Sequence, residues 1–203
     1  MKKYLITDVY SAACERIEFI FDEFDKIMVA FSGGKDSGVL LNLALQEAKK
    51  RDRKIGAMLL DLEGQYRLTM EYVERMFTDN AQWLDPYWIC LPLNLRNAVS
   101  AFDPFWCPWE PGNEENWIRP MPNHPAVISD QSYFPFWRYR MEFEEFAPEF
   151  SKWYANGEKL ATLVGIRTDE SLNRFRTLAS DSKETYKGHP WTTRIYPDAH
   201  VYN

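Results

Sequence analysis

Residues 27–41 read Ile27-Met28-Val29-Ala30-Phe31-Ser32-Gly33-Gly34-Lys35-Asp36-Ser37-Gly38-Val39-Leu40-Leu41. The first five residues are apolar and partly β-branched, which is typical of a buried parallel strand. After Ser37 the apolar residues recur at helical spacing, at Val39, Leu40, Leu43 and Ala44. The stretch therefore predicts a strand that turns into a helix at a pair of glycines, and the rest of the chain is organised around this unit.

The loop between the predicted strand and helix carries groups that suit an anion. Its two glycines let the backbone approach a ligand closely or take a positive φ angle. The N–H groups and the positive end of the following helix attract negative charge. Ser32 and Ser37 add hydroxyls, Lys35 adds a cation, and Asp36 is either a helix cap or a ligand on the Mg²⁺ side of a phosphate. The spacing is not that of a Walker A loop, and the alternative is a strand–helix turn without a ligand.

Composition narrows the class of protein. The chain has 203 residues, 45% of them hydrophobic, and a formal net charge of −6. This length suffices for one α/β domain with a sizeable core. The sequence contains no apolar run of membrane-spanning length and no signal-peptide pattern at its start, so we expect a cytoplasmic protein without membrane contact. The negative charge makes direct nucleic-acid binding unfavourable, and the oligomeric state is left open.

The three cysteines, Cys14, Cys90 and Cys107, lie far apart in the sequence. They form neither a disulfide framework nor a four-cysteine set, so no iron–sulfur cluster is expected. Cys14 and Cys90 fall within a predicted helix and a predicted strand, where small buried side chains are common. Cys107 stands between Trp106 and Trp109; a redox role is the minor alternative to burial there.

Hydrophobic periodicity predicts alternating helices and strands. The predicted helices cover 8–24, 37–51, 66–77 and 136–156, and the predicted strands cover 26–31, 54–60, 87–91 and 160–164. Asp8 is expected to cap the first helix, and Pro148 to kink or divide the last one. Asn156-Gly157 should end that helix. Its aromatic stripe comprises Tyr139, Phe143, Phe146, Phe150 and Trp153.

Residues 92–135 differ in kind from the rest of the chain. They hold eight of the twelve prolines together with Trp106, Trp109 and Trp117, and they show no sustained periodicity. Linkers lack this much aromatic area, so we expect an ordered insert over the ligand edge of the sheet, acting as a lid or a partner surface. Residues 179–203 are polar and mildly cationic, and we interpret them as a C-terminal tail.

A second informative stretch follows the strand predicted at 160–164. It reads Gly165-Ile166-Arg167-Thr168-Asp169-Glu170-Ser171-Leu172-Asn173-Arg174. Arg167 and Arg174 supply planar, permanently charged groups that suit phosphate or sulfate, and Asp169 or Glu170 could orient them. The alternative is the start of a surface helix with internal ion pairs.

The two stretches together resemble a known family. Ser32-Gly33-Gly34-Lys35-Asp36-Ser37 resembles the PP-loop of the adenine nucleotide α-hydrolase superfamily. Residues 165–174 resemble the Gly-x-Arg-x-x-Glu-Ser-x-x-Arg segment of phosphoadenosine phosphosulfate (PAPS) reductase relatives, and the resemblance covers roughly residues 26–174. It implies a doubly wound, Rossmann-like parallel sheet with helices on both faces, as one nucleotide-binding domain over residues 1–203. The ligand would lie at the carboxyl ends of the strands.

The resemblance also implies a ligand and its contacts. The ligand is ATP or a PAPS-like adenine nucleotide, with Mg²⁺ as an optional companion, and the chemistry is nucleotidyl or sulfo-group transfer. Lys35 and Asp36 would be catalytic. Asp61, just beyond the second strand, would lie beside the nucleotide, with a cap of the next helix as the alternative role. The implied binding residues are Ser32, Gly33, Gly34, Lys35, Asp36, Ser37, Asp61, Arg167, Glu170 and Arg174.

One departure from the family pattern leaves two functional alternatives. PAPS reductases carry an attacking cysteine in a Cys-Gly-x-His segment, which this sequence lacks, so a transferase or ATP α-hydrolase is favoured over a reductase. The insert and the stretch Pro92-Leu93-Asn94-Leu95-Arg96-Asn97 also resemble a sulfotransferase-like subgroup, some of whose members are described as gene-expression co-activators with a ParB-like partner. The alternative is therefore a non-catalytic nucleotide-binding regulatory module that acts with such a protein.

Overall fold

A computed structural model describes residue 6, residues 8–166, residue 172, and the strand residues 185–186, 189–195 and 198–202, for which only the backbone is described. The helices are α1 (Val9–Glu23), α2 (Lys35–Lys50), α3 (Arg67–Asp79) and α4 (Phe143–Ala155). The strands are β1 (Lys26–Ala30), β2 (Ile55–Leu60), β3 (Leu84–Ile89), β4 (Leu95–Arg96), β5 (Phe105–Trp106), β6 (Val127–Ile128), β7 (Leu160–Val164), β8 (Thr185–Tyr186), β9 (His189–Ile195) and β10 (Asp198–Tyr202).

The central sheet has the order β6-β3-β2-β1-β7-β10-β9-β8. Strands β6, β3, β2, β1 and β7 are all parallel, β10 continues the parallel direction beside β7, and β9 and β8 are antiparallel additions at the edge. The chain moves outward from β1 through β2 to β3 and then returns to β7 on the other side of β1. This confirms the predicted α/β doubly wound sheet.

Two hydrophobic cores cover the two faces of the sheet. On one face, Val29 of β1 packs in the same cluster as residues of α1, α2 and α3, among them Ile20, Leu41 and Phe77. On the other face, Met28 belongs to the cluster that contains Phe146 and Phe150 of α4. Successive residues of β1 thus enter opposite cores, because side chains alternate along a strand. With both faces covered, ligand access is left to the ends of the strands.

The third strand begins three residues before its predicted start at position 87, and it ends at Ile89, so Cys90 lies just past the strand and not inside it. A proline inside a strand argues against strand structure, which is why Pro86 concealed this start. Trp88 donates its N–H to Ala126 O, on the β6 side of the strand. Pro86 lies two residues before Trp88, so its backbone nitrogen points to the same side of β3. On that side β6 begins only opposite Trp88, so the missing N–H of Pro86 costs no hydrogen bond to β6.

The last described helix begins at Phe143 and not at position 136. Glu142 and Glu145 form a capping box that fixes this start. Tyr139, a member of the predicted aromatic stripe, consequently lies outside the helix. Pro148 lies within a continuous helix, so the predicted division is wrong. Two predicted caps are confirmed: Asp8 accepts the Ser11 N–H at 2.9 Å before α1, and Asn156 ends α4 in the left-handed conformation.

The segment from 92 to 135 contains short elements of its own. Strands β4 and β5 form an antiparallel hairpin, residues 114–116 form one 3₁₀ turn, and β6 joins the edge of the main sheet beside β3. The segment leaves the sheet after β3, at the carboxyl ends of the strands. It is therefore placed beside the edge at which an open α/β sheet binds ligands.

Candidate functional site

The glycine loop, residues 32–37, begins where β1 ends. Strand β1 lies between β2 and β7, which are reached by connections that run in opposite directions along the sheet. The end of β1 is therefore the topological switch point, where two adjacent connections diverge and leave a crevice. Because Phe31 N–H still donates to Met58 O at 2.9 Å, the loop starts directly at this edge.

Gly33 and Gly34 shape the entry into α2. Gly33 has a φ angle of +73°, and a Cβ atom at this position would lie 2.7 Å from Thr69 Cγ2 and 2.9 Å from Val73 Cγ2 of α3. Gly34 is the N-cap residue, and Gly38 N–H donates to Gly34 O at 2.8 Å. Helical geometry therefore directs the N–H groups of the first turn toward the loop. The predicted capping role of Asp36 is wrong, since Asp36 lies inside this first turn.

The two serine hydroxyls hold the loop closed. Ser37 Oγ accepts the Ser32 N–H at 3.2 Å and donates to Gly34 O at 3.1 Å. Ser32 Oγ lies 3.0 Å from Ser37 Oγ and accepts the Gly34 N–H at 3.3 Å. The hydroxyls predicted as ligand contacts thus also fix the curvature of the backbone around the start of α2.

Lys35 extends from the loop into solvent. Its ammonium group contacts the neighbouring Asp36 carboxylate at 2.7 Å, and its side chain is 73% exposed. An exposed ion pair of this kind contributes at most about 1 kcal/mol. Lys35 can therefore exchange Asp36 for an anion on the loop at small cost.

The backbone after β7 touches the same loop. A Cβ atom on Gly165 would lie 3.0 Å from Ser37 N and 3.1 Å from Asp36 C, so only a glycine fits here without displacing the start of α2. The segment predicted to bind the outer anion therefore begins beside the glycine loop. Its predicted binding residues, Arg167, Glu170 and Arg174, lie outside the described residues.

Asp61 lies just beyond β2, at the same edge of the sheet, and is 1% exposed. Its carboxylate accepts Trp88 Nε1–H at 2.7 Å and Glu63 N–H at 2.9 Å, and both of its oxygens accept from Arg119. The alternative role as the cap of α3 is wrong, because Tyr66 occupies that position. Contact of Asp61 with a nucleotide stays a prediction, and the contacts observed bind the insert to the sheet.

Asp61 belongs to a group of four residues, with Glu63, Trp109 and Arg119, that we call the insert anchor. Arg119 Nε donates to Glu63 O at 2.8 Å, and its guanidinium lies 4.9 Å from the centre of a Trp109 ring. Trp109 Nε1–H donates to Asp61 O at 2.7 Å. The Glu63 carboxylate accepts the N–H groups of Trp109 and Ile118 at 2.8 and 2.6 Å. The anchor thus ties the insert to the end of β2.

Few features of the sequence pointed to this anchor. Glu63 belongs to no recognisable sequence motif, and its partner Trp109 lies 46 residues after it in the chain. Arg119 lies 58 residues from Asp61, in a stretch without periodicity. The available signals were the concentration of tryptophans after Pro92 and a pair of carboxylates, Asp61 and Glu63, at the end of a predicted strand.

Two cavities flank the insert anchor. The α3 cavity, of about 470 Å³, lies between α3 and residues 118–124, with Met70, Trp88 and His124 among its lining residues. The insert cavity, of about 320 Å³, lies within the insert on the other side of Ile118. Its lining residues are Glu63, Trp106, Cys107, Glu110, Asn113, Asn116, Trp117, Ile118 and Arg140.

The cysteines near this edge are protonated at neutral pH. Burial raises the pKa of the Cys90 thiol, and Asp61 adds to the increase. Burial also raises the pKa of Cys107 to about 12, with a further contribution from the hydrogen bond and the negative charge of Glu110. A thiol must ionise to act as a nucleophile, so both groups are poor nucleophiles.

The described residues contain neither a ready-made metal site nor a membrane-spanning helix. No group of three or more His, Cys, Asp or Glu side chains in this part of the chain could hold a metal ion. Across the same residues, no helix is long and apolar enough to cross a membrane.

The chain has a longer relative among known proteins. No protein-family model matches the chain. Over 190 residues the chain is 37% identical to the uncharacterized protein YbdN of Escherichia coli strain K12. The matched region covers 92% of this chain but 45% of YbdN, so the chain spans less than half the length of that relative. A function for this chain must therefore be argued from its own geometry.

Proposed function

We propose that this chain binds an adenine nucleotide, ATP or a PAPS-like sulfonucleotide, at the glycine loop. The observation that carries the proposal is the placement of this loop at the switch point of the sheet, with Gly33 at φ +73° and Gly34 as the N-cap of α2. A helix start at such a crevice combines free donors with a positive dipole. The resemblance of residues 32–37 to a PP-loop adds the nucleotide class.

The central anion of the nucleotide would lie on the first turn of α2. The N–H groups of that turn would donate to it, and Ser32 and Ser37 would offer hydroxyls at the price of rearranging their mutual contact of 3.0 Å. Lys35 would leave Asp36 to neutralise the anion. The Asp36 carboxylate would then lie beside the anion, where it would supply one ligand to a Mg²⁺ ion that the same anion also binds.

The outer phosphate or sulfate would be held by the segment after β7. Gly165 already lies against Ser37 N, and Arg167 and Arg174 follow Gly165 by two and nine residues in the chain. Two guanidinium groups suit a tetrahedral anion, and Glu170 would orient them. This arrangement would stabilise charge on a group in transfer without a protein nucleophile, which fits nucleotidyl or sulfo-group transfer.

The proposal is tested by calorimetric titration with ATP, AMP, PAPS and adenosine phosphosulfate, each with and without Mg²⁺. We expect ligands with an outer anion to bind more tightly than AMP, because AMP lacks the group that the segment after β7 would hold. Equal affinity for all four ligands would remove the outer-anion assignment, and no binding at all would overturn the proposal. Release of AMP and pyrophosphate, or of sulfate, from the bound nucleotide would identify an enzyme.

A second candidate function is a regulatory module that binds the nucleotide without turnover and acts through a protein such as a ParB-like partner. The observation that favours it is the hairpin loop between β4 and β5, where Val99 and Phe102 are 96% and 97% exposed. Large apolar side chains that are fully exposed are typical of protein contacts when they occur together. Tight nucleotide binding with no product over many hours would favour this module.

A further inference from the structure

The insert cavity has the size and the mixture of aromatic and polar lining groups that are typical of a small-molecule site. Its volume of about 320 Å³ is lined by two tryptophans, two asparagines, two glutamates and an arginine. Ligand pockets typically combine aromatic walls with a few placed polar groups at volumes of about 300–1,000 Å³. The cavity lies beyond Glu63, at the same sheet edge as the glycine loop.

Strained backbone surrounds this cavity. Glu63, Trp109 and Arg140 have φ angles of +63°, +54° and +58°. Glu63 and Arg140 line the cavity, and Trp109 precedes the lining residue Glu110. Bulky residues rarely adopt this conformation, and surrounding contacts must hold them in it. Here the Glu63 carboxylate supplies such a contact through the Trp109 N–H at 2.8 Å.

The charges around the cavity are already compensated within the protein. Glu110 accepts from Tyr139 and from Arg140 Nη2, the latter at 2.9 Å, and these hydrogen bonds contribute to lowering its pKa. Glu63 accepts two backbone N–H groups. A charged ligand would have to break one of these pairs, whereas a neutral ligand could use the remaining lone pairs and N–H groups.

The remaining groups suit a ring compound with hydroxyls. Asn116 Nδ2–H donates to Asn113 Oδ1 at 2.5 Å, so the pair still offers the Asn113 amide N–H groups as donors and Asn116 Oδ1 as an acceptor. Arg140 has further N–H groups besides the one that contacts Glu110. Hydroxyls are likewise both donors and acceptors. Trp106 and Trp117 offer flat apolar surfaces on which the C–H face of a ring can lie.

We propose that the insert cavity binds a neutral, hydroxyl-bearing ring compound of the monosaccharide class, and that one of its hydroxyls accepts the group from the nucleotide. The hydroxyl oxygen would bond to the sulfur of a PAPS-like donor or to the α-phosphorus of ATP, while the bond from that atom to the leaving adenosine bisphosphate or pyrophosphate breaks and the hydroxyl proton passes to solvent. The binding of this compound is inferred from the cavity alone. The compound's role as an acceptor rests on the proposed nucleotide function, so the test measures binding in the absence of nucleotide.

The test records indole N–H signals by ¹⁵N–¹H NMR while the chain is titrated with the methyl glycosides of glucose, galactose, mannose and N-acetylglucosamine. Signals of Trp106 and Trp117 are assigned with Trp106→Phe and Trp117→Phe. We expect at least one glycoside to shift both signals, and Trp106→Ala to weaken that binding about tenfold through the loss of an aromatic surface. Glu71→Gln, in the α3 cavity, is the matched control and should leave the binding unchanged.

Charged analogues of the same ring sharpen the result. Glucosamine and glucuronate should bind more weakly than the neutral glycoside, because each would compete with a pair already formed at Glu110 or Arg140. The proposal is overturned if no glycoside shifts the two indoles at millimolar concentration, or if a charged analogue binds more tightly than every neutral one. Should the glycoside bind while ATP and PAPS do not, the acceptor role alone would fail.

Discussion

The glycine loop and the insert anchor lie at the same edge of one sheet, yet they are built in opposite ways. The loop is local: its hydrogen bonds join residues two to five positions apart, and its charged side chain points into solvent. The anchor is long-range: it joins residues 46 to 58 positions apart, and Asp61 within it is 1% exposed. The loop is thus open to a ligand, whereas the anchor holds buried charge that must stay paired.

This difference predicts that the glycine loop serves ligand binding and that the insert anchor serves the stability of the fold. A solvated lysine can be removed without leaving an uncompensated group, so its loss should appear in ligand affinity. A buried ion pair that loses one partner leaves a charge without solvent, so its loss should appear in folding. Substitutions in the glycine loop should therefore change ligand affinity, and substitutions in the insert anchor should change the free energy of unfolding.

Arg119→Ala should have the largest effect. It leaves the Asp61 carboxylate buried with its main cationic partner gone, which typically costs about 3–5 kcal/mol in the free energy of unfolding. Urea unfolding followed by circular dichroism measures this cost. Arg138→Ala is the control, since Arg138 forms an exposed pair with Glu145 that should contribute less than about 1 kcal/mol.

A double variant tests the reason for that loss. Asp61→Asn combined with Arg119→Met removes both charges while keeping similar volumes, so it should recover part of the stability lost in Arg119→Ala. If Arg119→Ala and Arg138→Ala cost the same, the anchor carries no buried-charge penalty and the contrast between the two regions fails.

Gly33→Ala should rank second, and Gly112→Ala is its matched control. Both glycines have positive φ angles, +73° and +77°, so both substitutions carry the left-handed cost of about 1–2 kcal/mol. A Cβ at Gly112 meets nothing within 4 Å, whereas one at Gly33 meets the stiff side chains of Thr69 and Val73. Gly33→Ala should therefore cost about 1–3 kcal/mol more in thermal or urea unfolding. Equal costs would show that Thr69 and Val73 of α3 move aside without a measurable cost in stability.

Lys35→Ala should weaken nucleotide affinity by about 1.5–3 kcal/mol, the cost of one charge-assisted contact, with the unfolding free energy unchanged within about 0.5 kcal/mol. Calorimetric titration with ATP or PAPS measures the affinity. Lys54→Ala is the control, because Lys54 is also an exposed lysine paired with an aspartate but precedes β2, at the opposite edge of the sheet. Undiminished affinity in a folded Lys35→Ala variant would contradict the PP-loop assignment.

The same contrast explains how far the sequence could predict the molecule. The loop, the alternation of helices and strands and the Asp8 cap depend on neighbours in sequence, so residue patterns reveal them. The start of β3 was missed because Pro86 is tolerated only where β6 does not reach. The anchor was missed because its contacts depend on how the insert folds back, which no local spacing encodes. The sequence suggested Asp61 as a site residue but not its partner Arg119.

Cys107→Ser should have the smallest effect, leaving nucleotide affinity unchanged. Burial first, and then Glu110, raises the pKa of this thiol from 9.0 to about 12. Any contribution of the neutral thiol to the free energy of unfolding is therefore complete below pH 9.0 and is lost as the pH rises towards 12. At pH 8 the thiolate is scarce, so iodoacetamide should modify Cys107 about a thousandfold more slowly than free cysteine.

Glu110→Gln separates the two causes of that raised pKa. It removes the carboxylate but not the burial, so the alkylation of Cys107 should become faster while remaining slower than that of free cysteine. Glu114→Gln, which changes a more exposed carboxylate in the same insert, should leave the rate unchanged. Release of sulfite from PAPS with thioredoxin, lost in Cys107→Ser, would instead make Cys107 a nucleophile. It would then place a protein nucleophile in the insert, and the transfer without a protein nucleophile that is proposed for the glycine loop would be wrong.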